Sequence, residues 1–270
     1  MIDKGKHNLL GVQIDAVDYE AALEKIFFSA RARKSMAVSA LAVHGVMTGA
    51  MDSLHAARLN SLELVVPDGQ PVRWALNLLY DLGLPDRVYG PTLMLKVCEK
   101  ASHEGLPIFL YGSRMEVLSR LSHNLYVRFP KLQIAGCHPS FFRKVTLEEK
   151  QEIVSKINAS GAAILLVGLG CPRQEIWVYE HHGLIQMPML AVGAAFDFHA
   201  GIISQAPPRL QRIGLEWLYR LSKEPRRLWR RYLLLNPYFV FLFTLQWLRI
   251  RRFDNSQSEI KPPRDLLCYG

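Results

Sequence analysis

Four cysteines in 270 residues, Cys98, Cys137, Cys171 and Cys268, with no CxxC pair among them, supply neither a disulfide framework nor a thiolate metal site. Reduced thiols in a cytoplasmic protein are the expectation. The nine histidines form no ligand-spaced set, and His181 and His182, being adjacent, cannot share one face of regular structure. The opening MIDKGKHNLLGVQIDAVDY lacks the continuous apolar core of a secretory signal. The apolar part of the C-terminal region, 232–248, has 17 residues and contains Asn236-Pro237 and Gln246, so a membrane-spanning helix is not expected. Cofactor motifs are missing too. In VGLGCPRQEIW a G-x-G-x-x-G fingerprint would need glycine at 173, where Arg173 stands. There is no Walker motif, and no DxD to carry a nucleotide-bound metal. Neither a metal nor a resident cofactor is expected.

The charge is unevenly placed. Between Arg209 and Arg252 lie eleven Lys/Arg and two Glu, an excess equal to the whole chain's net charge of +9. Such a segment meets something anionic: nucleic acid, lipid head groups or diphosphate. It is also aromatic and apolar, as in LEWLYRLSKEPRRLWRRYLLLNPYFVFLFTLQWLRIRRF (215–253), which suits a lipid surface better than nucleic acid.

The first two hundred residues alternate short apolar runs with helical periods. Strands are expected at 35–41, 62–66, 106–112, 132–137, 162–170 and 187–196, with helices between them at 115–129 and 146–161. Thr146 and Glu149 have capping-box spacing, and Gly161 closes the pattern. The alternation predicts an α/β, Rossmann-like, mostly parallel sheet with helices on both faces. The expected domains are a catalytic core over 1–208, a helical basic appendage over 209–253 that completes the active site and meets the membrane, and a polar tail over 254–270.

In open parallel sheets, ligands bind outside the carboxyl ends of the strands. That makes ELVVPDGQPVRWAL (63–76) informative, because Asp68 follows a run of β-formers directly. Alone, PDG also reads as an ordinary turn. IFLYGSRMEV passes from strand through Gly112-Ser113 into a helix whose first N–H groups could receive phosphate, and Gly168–Gln174 does the same. Each also reads as an ordinary βα turn. Arg220, Arg227 and Arg231 recur at helical spacing and would share one face of a continuous helix, although Pro225 can begin a new one.

VVPDGQPVRWA, RVYGPTLM, IFLYGS, VGLGCPRQEIW, AVGAAFDFHAG and GLEWLYRLSKEPRRLWRRYLLLNP occur in that order. With them the chain resembles the WecG/TagA/CpsF glycosyltransferase family, glycosyltransferase family 26, over roughly residues 8–245. The resemblance implies a metal-independent enzyme that inverts configuration at a UDP-sugar. Its acceptor would be a polyprenyl-diphosphate-linked saccharide at the cytoplasmic face of the membrane, where the protein would sit peripherally on the anionic surface. By the same resemblance Asp68 takes the place of the catalytic base and Gln70 that of a nearby polar group. Arg87 and Gln174 match sugar- and nucleotide-pocket positions. Arg220, Arg227 and Arg230 match arginines brought over the active site. Two positions depart from the family's pattern. Its first strand motif often reads Thr-x-Asn, where this chain has Ser39-Ala40-Leu41, and Thr92 stands where an Asp is frequent. Ser39 keeps the hydroxyl. The departures resemble exopolysaccharide members that transfer glucose, and leave UDP-glucose and UDP-N-acetylmannosamine both open as donors. A nucleotide-dependent oxidoreductase and a basic nucleic-acid-binding module are the alternative classes, and a homo-oligomer is left open.

Overall fold

The computed structural model describes residues 1–253 and Pro262; the remainder of the expected tail lies outside the described residues. The strands are β1 (Asp3–Leu9), β2 (Val12–Val17), β3 (Met36–Leu41), β4 (Leu64–Pro67), β5 (Ile108–Gly112), β6 (Ile134–His138), β7 (Ile164–Gly168) and β8 (Pro188–Ala191). In the first half the helices are α1 (Tyr19–Arg31), α2 (Val43–Met51), α3 (Ser53–Asn60), α4 (Gln70–Tyr80), α5 (Gly90–Glu104) and α6 (Met115–Arg128). They continue as α7 (Leu147–Ala159), α8 (Arg173–Glu180), α9 (Ala195–His199), α10 (Pro208–Arg212), α11 (Glu216–Lys223), α12 (Pro225–Trp229) and α13 (Leu235–Trp247).

Strands β3 to β8 fall on the six expected segments and form one parallel sheet in the order β4-β3-β8-β7-β5-β6. Its two faces bury separate apolar clusters. Val65, Tyr111 and Val167 face one; Val66, Leu110 and Leu166 face the other. Burial on both faces is why these strands read as continuous apolar runs rather than alternating ones. The predicted capping box on α7 is present. Glu149 donates its N–H to Thr146 Oγ1 at 3.2 Å, and its carboxylate accepts from the Thr146 N–H at 2.9 Å.

The antiparallel β1–β2 hairpin was not anticipated. Its two-residue turn, Leu10-Gly11, has both φ angles positive, 55° and 88°, the geometry of a primed turn that Asn-Gly usually signals. β1 is largely exposed and charged, so no apolar alternation announces it. Buried Asp15 on β2 accepts a hydrogen bond from the N–H of Val65, at 2.7 Å. That occupies a backbone donor on the edge strand β4, which would otherwise be open to pairing.

After Pro208 the chain is helical, as the composition suggested. α12 runs into a π-helical turn, Arg230–Leu234, and then into α13. A proline supplies the reason for the widened turn. Pro237 has no N–H for the carbonyl of Leu233, and its ring would clash there in a regular α-helix. α13 buries Phe239 and Leu242 in the same cluster as Val65. Gln246 joins α13 to the hairpin, accepting from the Leu10 N–H at 3.0 Å and donating to the Asn8 carbonyl at 3.0 Å. On the outer side Leu234, Tyr238, Phe241 and Trp247 are exposed, with Arg249, Arg251 and Arg252 just beyond. No helix among the described residues is long and apolar enough to cross a membrane.

Candidate active site

Because the six strands are parallel, their carboxyl ends share one edge of the sheet, and two adjoining cavities of about 420 and 730 Å³ open there. Asp68 is the first residue after β4. Its N–H donates to the Leu41 carbonyl at 3.2 Å, so the last bridge of the β3–β4 pair fixes its position. Its Oδ1 accepts from the N–H of Gly90, the first residue of α5, at 2.6 Å. No described residue hydrogen-bonds Oδ2. Burial pushes the carboxyl up to about 6, against the opposing pull of Arg87 and the Gly90 bond. At pH 7 Asp68 is mostly ionised while keeping a basicity unusual for a carboxylate, a combination suited to accepting a proton.

Asp68, His44, Ala42, Arg220 and Arg231 border both cavities and form the wall between them. His44, at the start of α2, is held neutral: burial first, then Arg231, lowers it to about 4.

The smaller cavity has a polar base and apolar sides. At the base are Gln70 and Arg87, both buried; above them stand Trp217, Tyr232, Phe239 and Val240 from the C-terminal helices. Asp86 joins the two basal groups, its Oδ1 accepting from Gln70 Nε2 at 2.9 Å and from the Arg87 N–H at 2.8 Å. The Arg87 guanidinium donates to Glu216 Oε2 at 2.8 Å and to Gln211 Oε1 at 3.1 Å, and lies 4.0 Å from the centre of the Tyr89 ring. The Tyr89 hydroxyl donates to Glu216 Oε1 at 2.6 Å. Both carboxylate oxygens of Glu216 are therefore used to clasp α11 onto the core.

The larger cavity lies over the ends of β5, β7 and β8, beneath Arg227 and Arg230. Gln174 is locked in place, with Oε1 accepting from the Gly170 N–H at 3.1 Å and Nε2 donating to Glu175 Oε1 at 2.8 Å. Gly193, at φ +55°, lets the chain pass there, since a Cβ would come within 3.1 Å of Gln174 Oε1. Glu175 also accepts from Ser39 Oγ at 3.1 Å. Burial raises the Glu175 carboxyl above its ordinary value. Asp197 is raised by burial too, while Arg227 and Arg220 pull the other way.

The seven residues that the resemblance assigns border the cavities, Asp68, Gln70, Arg87, Gln174, Arg220, Arg227 and Arg230, and so does Arg231, which helical spacing singled out. Ser39 lies one layer below, fully buried, and reaches the site through Glu175. Gly112, at φ +104°, ends β5 against β7, where a Cβ would meet the Gly168 carbonyl at 2.8 Å; its neighbour Ser113 borders the larger cavity instead. Leu41 and Thr92, the two departures, are also accounted for. Leu41 packs in the core and also borders the larger cavity, and Thr92 lies beside the Tyr19 hydroxyl. Sequence reasoning missed His44, Glu175, Asp197 and Glu216. Only Glu216 left a signal, as one of two acids inside a segment of eleven bases. Among the described residues no three His, Cys, Asp or Glu gather as a metal site.

The sequence matches the family described as Glycosyl transferase WecG/TagA/CpsF over residues 7–253. The chain belongs to the WecG/TagA/CpsF family, whose members serve cell-surface polysaccharide synthesis and in general use a sugar-nucleotide donor and a lipid-linked acceptor.

Proposed function

We propose that the protein transfers a hexose or N-acetylhexosamine from a UDP-sugar to a polyprenyl-diphosphate-linked saccharide, with inversion and without a metal. The observation that carries this reading is the placement of Asp68 in the wall between two chambers of different character. The larger chamber, with the buried amide of Gln174 and several arginines, suits a nucleotide sugar. The smaller, polar at its base and apolar along its sides, suits a saccharide whose far end is lipid. At the wall, Asp68 accepts the proton of an acceptor hydroxyl as that oxygen attacks C1 of the donor sugar. The new C1–O bond forms while the bond from C1 to the β-phosphate oxygen breaks, and UDP departs with the electron pair. General-base help of this kind is typically worth about 10²–10⁴ in rate. Fixed cations from Arg220 and its neighbours offset the charge gained by the leaving diphosphate.

The test is UDP release from a panel of UDP-sugars, UDP-glucose and UDP-N-acetylmannosamine first, with a short polyprenyl-diphosphate saccharide as acceptor. One donor is expected to give turnover that survives EDTA. Silence across the panel, or loss with EDTA restored by Mg²⁺ or Mn²⁺, would remove the reading or its metal independence respectively.

In this reading the protein works from the cytoplasmic membrane face, held by the exposed aromatics of α13 and by Arg249, Arg251 and Arg252. Each base near an anionic surface contributes roughly 1 kcal/mol. Arg251→Glu with Arg252→Glu is expected to release the protein from anionic vesicles while sparing turnover on a water-soluble acceptor. Undiminished vesicle binding would take these arginines out of the contact.

A further inference from the structure

Two helices begin side by side at the carboxyl edge of the sheet. α2 follows β3 and α4 follows β4, and the parallel pairing of Leu41 with Pro67 brings their first turns together beside Asp68. A Cβ on Gly69, just before α4, would lie 3.6 Å from that of Ala42, just before α2. His44 is the second residue of α2 and Gln70 the first of α4. The protein leaves the hydrogen bonding of both incomplete. His44 Nδ1 is buried with no partner among the described residues. So is Gln70 Oε1, although its Nε2 donates to Asp86 Oδ1 at 2.9 Å. Both side chains border the smaller chamber, as does Asp68, whose Oδ2 no described residue hydrogen-bonds.

A buried polar atom without a partner is costly, and a bound molecule that supplies the missing hydrogen bond offsets that cost. The terminal torsions of histidine and glutamine are broad, so a small turn of either side chain brings the atom to the chamber it borders. The three atoms define what such a molecule must carry. Asp68 Oδ2 and Gln70 Oε1 accept hydrogen bonds. The His44 ring stays uncharged, because burial and Arg231 outweigh the backbone of Cys171, and a neutral imidazole accepts at one nitrogen. An ionised phosphate and a prenyl chain bring no donor to such atoms, whereas a sugar ring brings several adjacent hydroxyls. Arg87, at the base of the same chamber, is already engaged by Glu216 and Gln211. We propose that His44 binds a hydroxyl of a substrate sugar beside the one that reacts at Asp68, and so helps decide which sugar is oriented for transfer. The inference rests on the glycosyl-transfer reading for the identity of that sugar. Two sources share the chemistry. The acceptor's terminal sugar is favoured by Gln70, which borders the smaller chamber; the donor sugar is the other source, since His44 borders both.

The experiment uses the full chain and compares wild type with three variants. His44→Leu removes the ring nitrogens, His44→Asn returns an amide near the Nδ1 position, and His123→Leu is an exposed control outside both chambers. The probes are short-chain prenyl-diphosphate glucose and N-acetylglucosamine, with UDP-glucose and UDP-N-acetylmannosamine, and each of these with single ring hydroxyls removed. Saccharide affinity is measured by calorimetry with UDP present, and steady-state kinetics vary the two substrates separately. His44→Leu is expected to weaken saccharide affinity and raise the acceptor KM by at least about tenfold, the effect of a lost buried hydrogen bond, with kcat within about fivefold. His44→Asn should recover most of that loss, and His123→Leu should stay within about twofold of wild type. The deoxy series separates contact from packing. One deoxy acceptor should bind wild type at least about tenfold more weakly than its parent, while His44→Leu treats the two alike, the contact being already gone. If that indifference appears with a deoxy UDP-sugar instead, the proposal stands and the donor is the source. Losses that add for every deoxy compound would overturn it, whatever the thermal midpoint of His44→Leu, since they mark a residue that only packs. So would unchanged affinity and KM in His44→Leu, or no saccharide binding by wild type. Failure of the transfer reading looks different: saccharide would bind in a His44-dependent way, but no UDP-sugar would be turned over.

Discussion

Four polar groups on the strand-end side of the cleft and two arginines on the C-terminal helices across from it are held in opposite ways. On the strand-end side, Ser39, Gln174, Glu175 and Asp68 are held by one another or by backbone N–H groups at 2.6 to 3.1 Å. Opposite them, the guanidinium groups of Arg220 and Arg231 lie 5.4 Å from the Phe198 ring and 5.7 Å from the Tyr232 ring, and the Nε of each is buried without an acceptor. The first side is preorganised before any ligand arrives, and its geometry costs nothing at the moment of reaction. The second side leaves donors open to a bound ligand. In the proposed reaction, the first half of the cleft places the base and the second supplies cations to the charged substrate.

Asp68→Asn should break this division most severely. It keeps the shape and the acceptor for the Gly90 N–H but removes the base, so kcat is expected to fall by about 10²–10⁴ with UDP affinity nearly unchanged. In wild type, kcat/KM should decline toward acid with an apparent pKa near 6, the value to which burial pushes this carboxyl. The stability sign is the reverse of the usual carboxylate case. The folded state holds this proton more tightly than the unfolded chain, so stability falls as pH rises from about 4 toward 6, and the Asn variant should lack that fall. Turnover near wild type in Asp68→Asn would leave the carboxylate with only a turn to stabilise.

Glu216→Ala tests the clasp between the two sides and should have the next largest effect. It strands the buried Arg87 guanidinium and frees the Tyr89 hydroxyl together. Breaking one partner of a buried pair typically costs about 3–5 kcal/mol. kcat/KM should drop roughly tenfold beyond any loss from unfolding, because the helix bearing Arg220 is no longer fixed over Asp68; such misplacement by about 1 Å can cost up to about 10². A variant that melts lower but turns over normally at low temperature would show that α11 needs no clasp for catalysis.

The same contrast explains what could be read from the sequence. The six parallel strands were legible because a sheet covered on both faces needs uninterrupted apolar runs, and VVPDG placed Asp68 at a strand's carboxyl end before any coordinates. β1 was not, because its register is fixed by a turn with Leu10 in a left-handed conformation and by Asp15 reaching Val65, neither of which leaves a pattern. Glu175 was not, because an acid in the first turn of a helix reads as a solvated dipole partner, whereas here the helix start is buried. The arginines were half legible. Helical spacing singled out Arg231 and the family's motif Arg230; both border the larger cavity, and Arg231 borders the smaller one as well.

Glu175→Gln probes the preorganised side and should have the smallest effect of the three. The amide oxygen of glutamine can still accept from Ser39 Oγ and Gln174 Nε2, so both neighbours stay placed and turnover should change by less than about fivefold, the lower end of what lost hydrogen bonds of this kind cost. The informative readout is stability against pH. Burial raises the Glu175 carboxyl, so the folded protein binds that proton more tightly than the unfolded chain, whose glutamate titrates near about 4.3. As pH climbs above that value the wild type loses stability until the folded carboxyl has itself ionised, while the glutamine variant has no proton to lose there. The gap in thermal midpoint between the two should therefore widen from pH 4 upward in favour of Glu175→Gln. A gap that is constant with pH would mean that Glu175 is ionised in the folded state throughout. The preorganised side would then carry a buried charge of its own, and the contrast with Arg220 and Arg231 would be one of sign rather than of readiness.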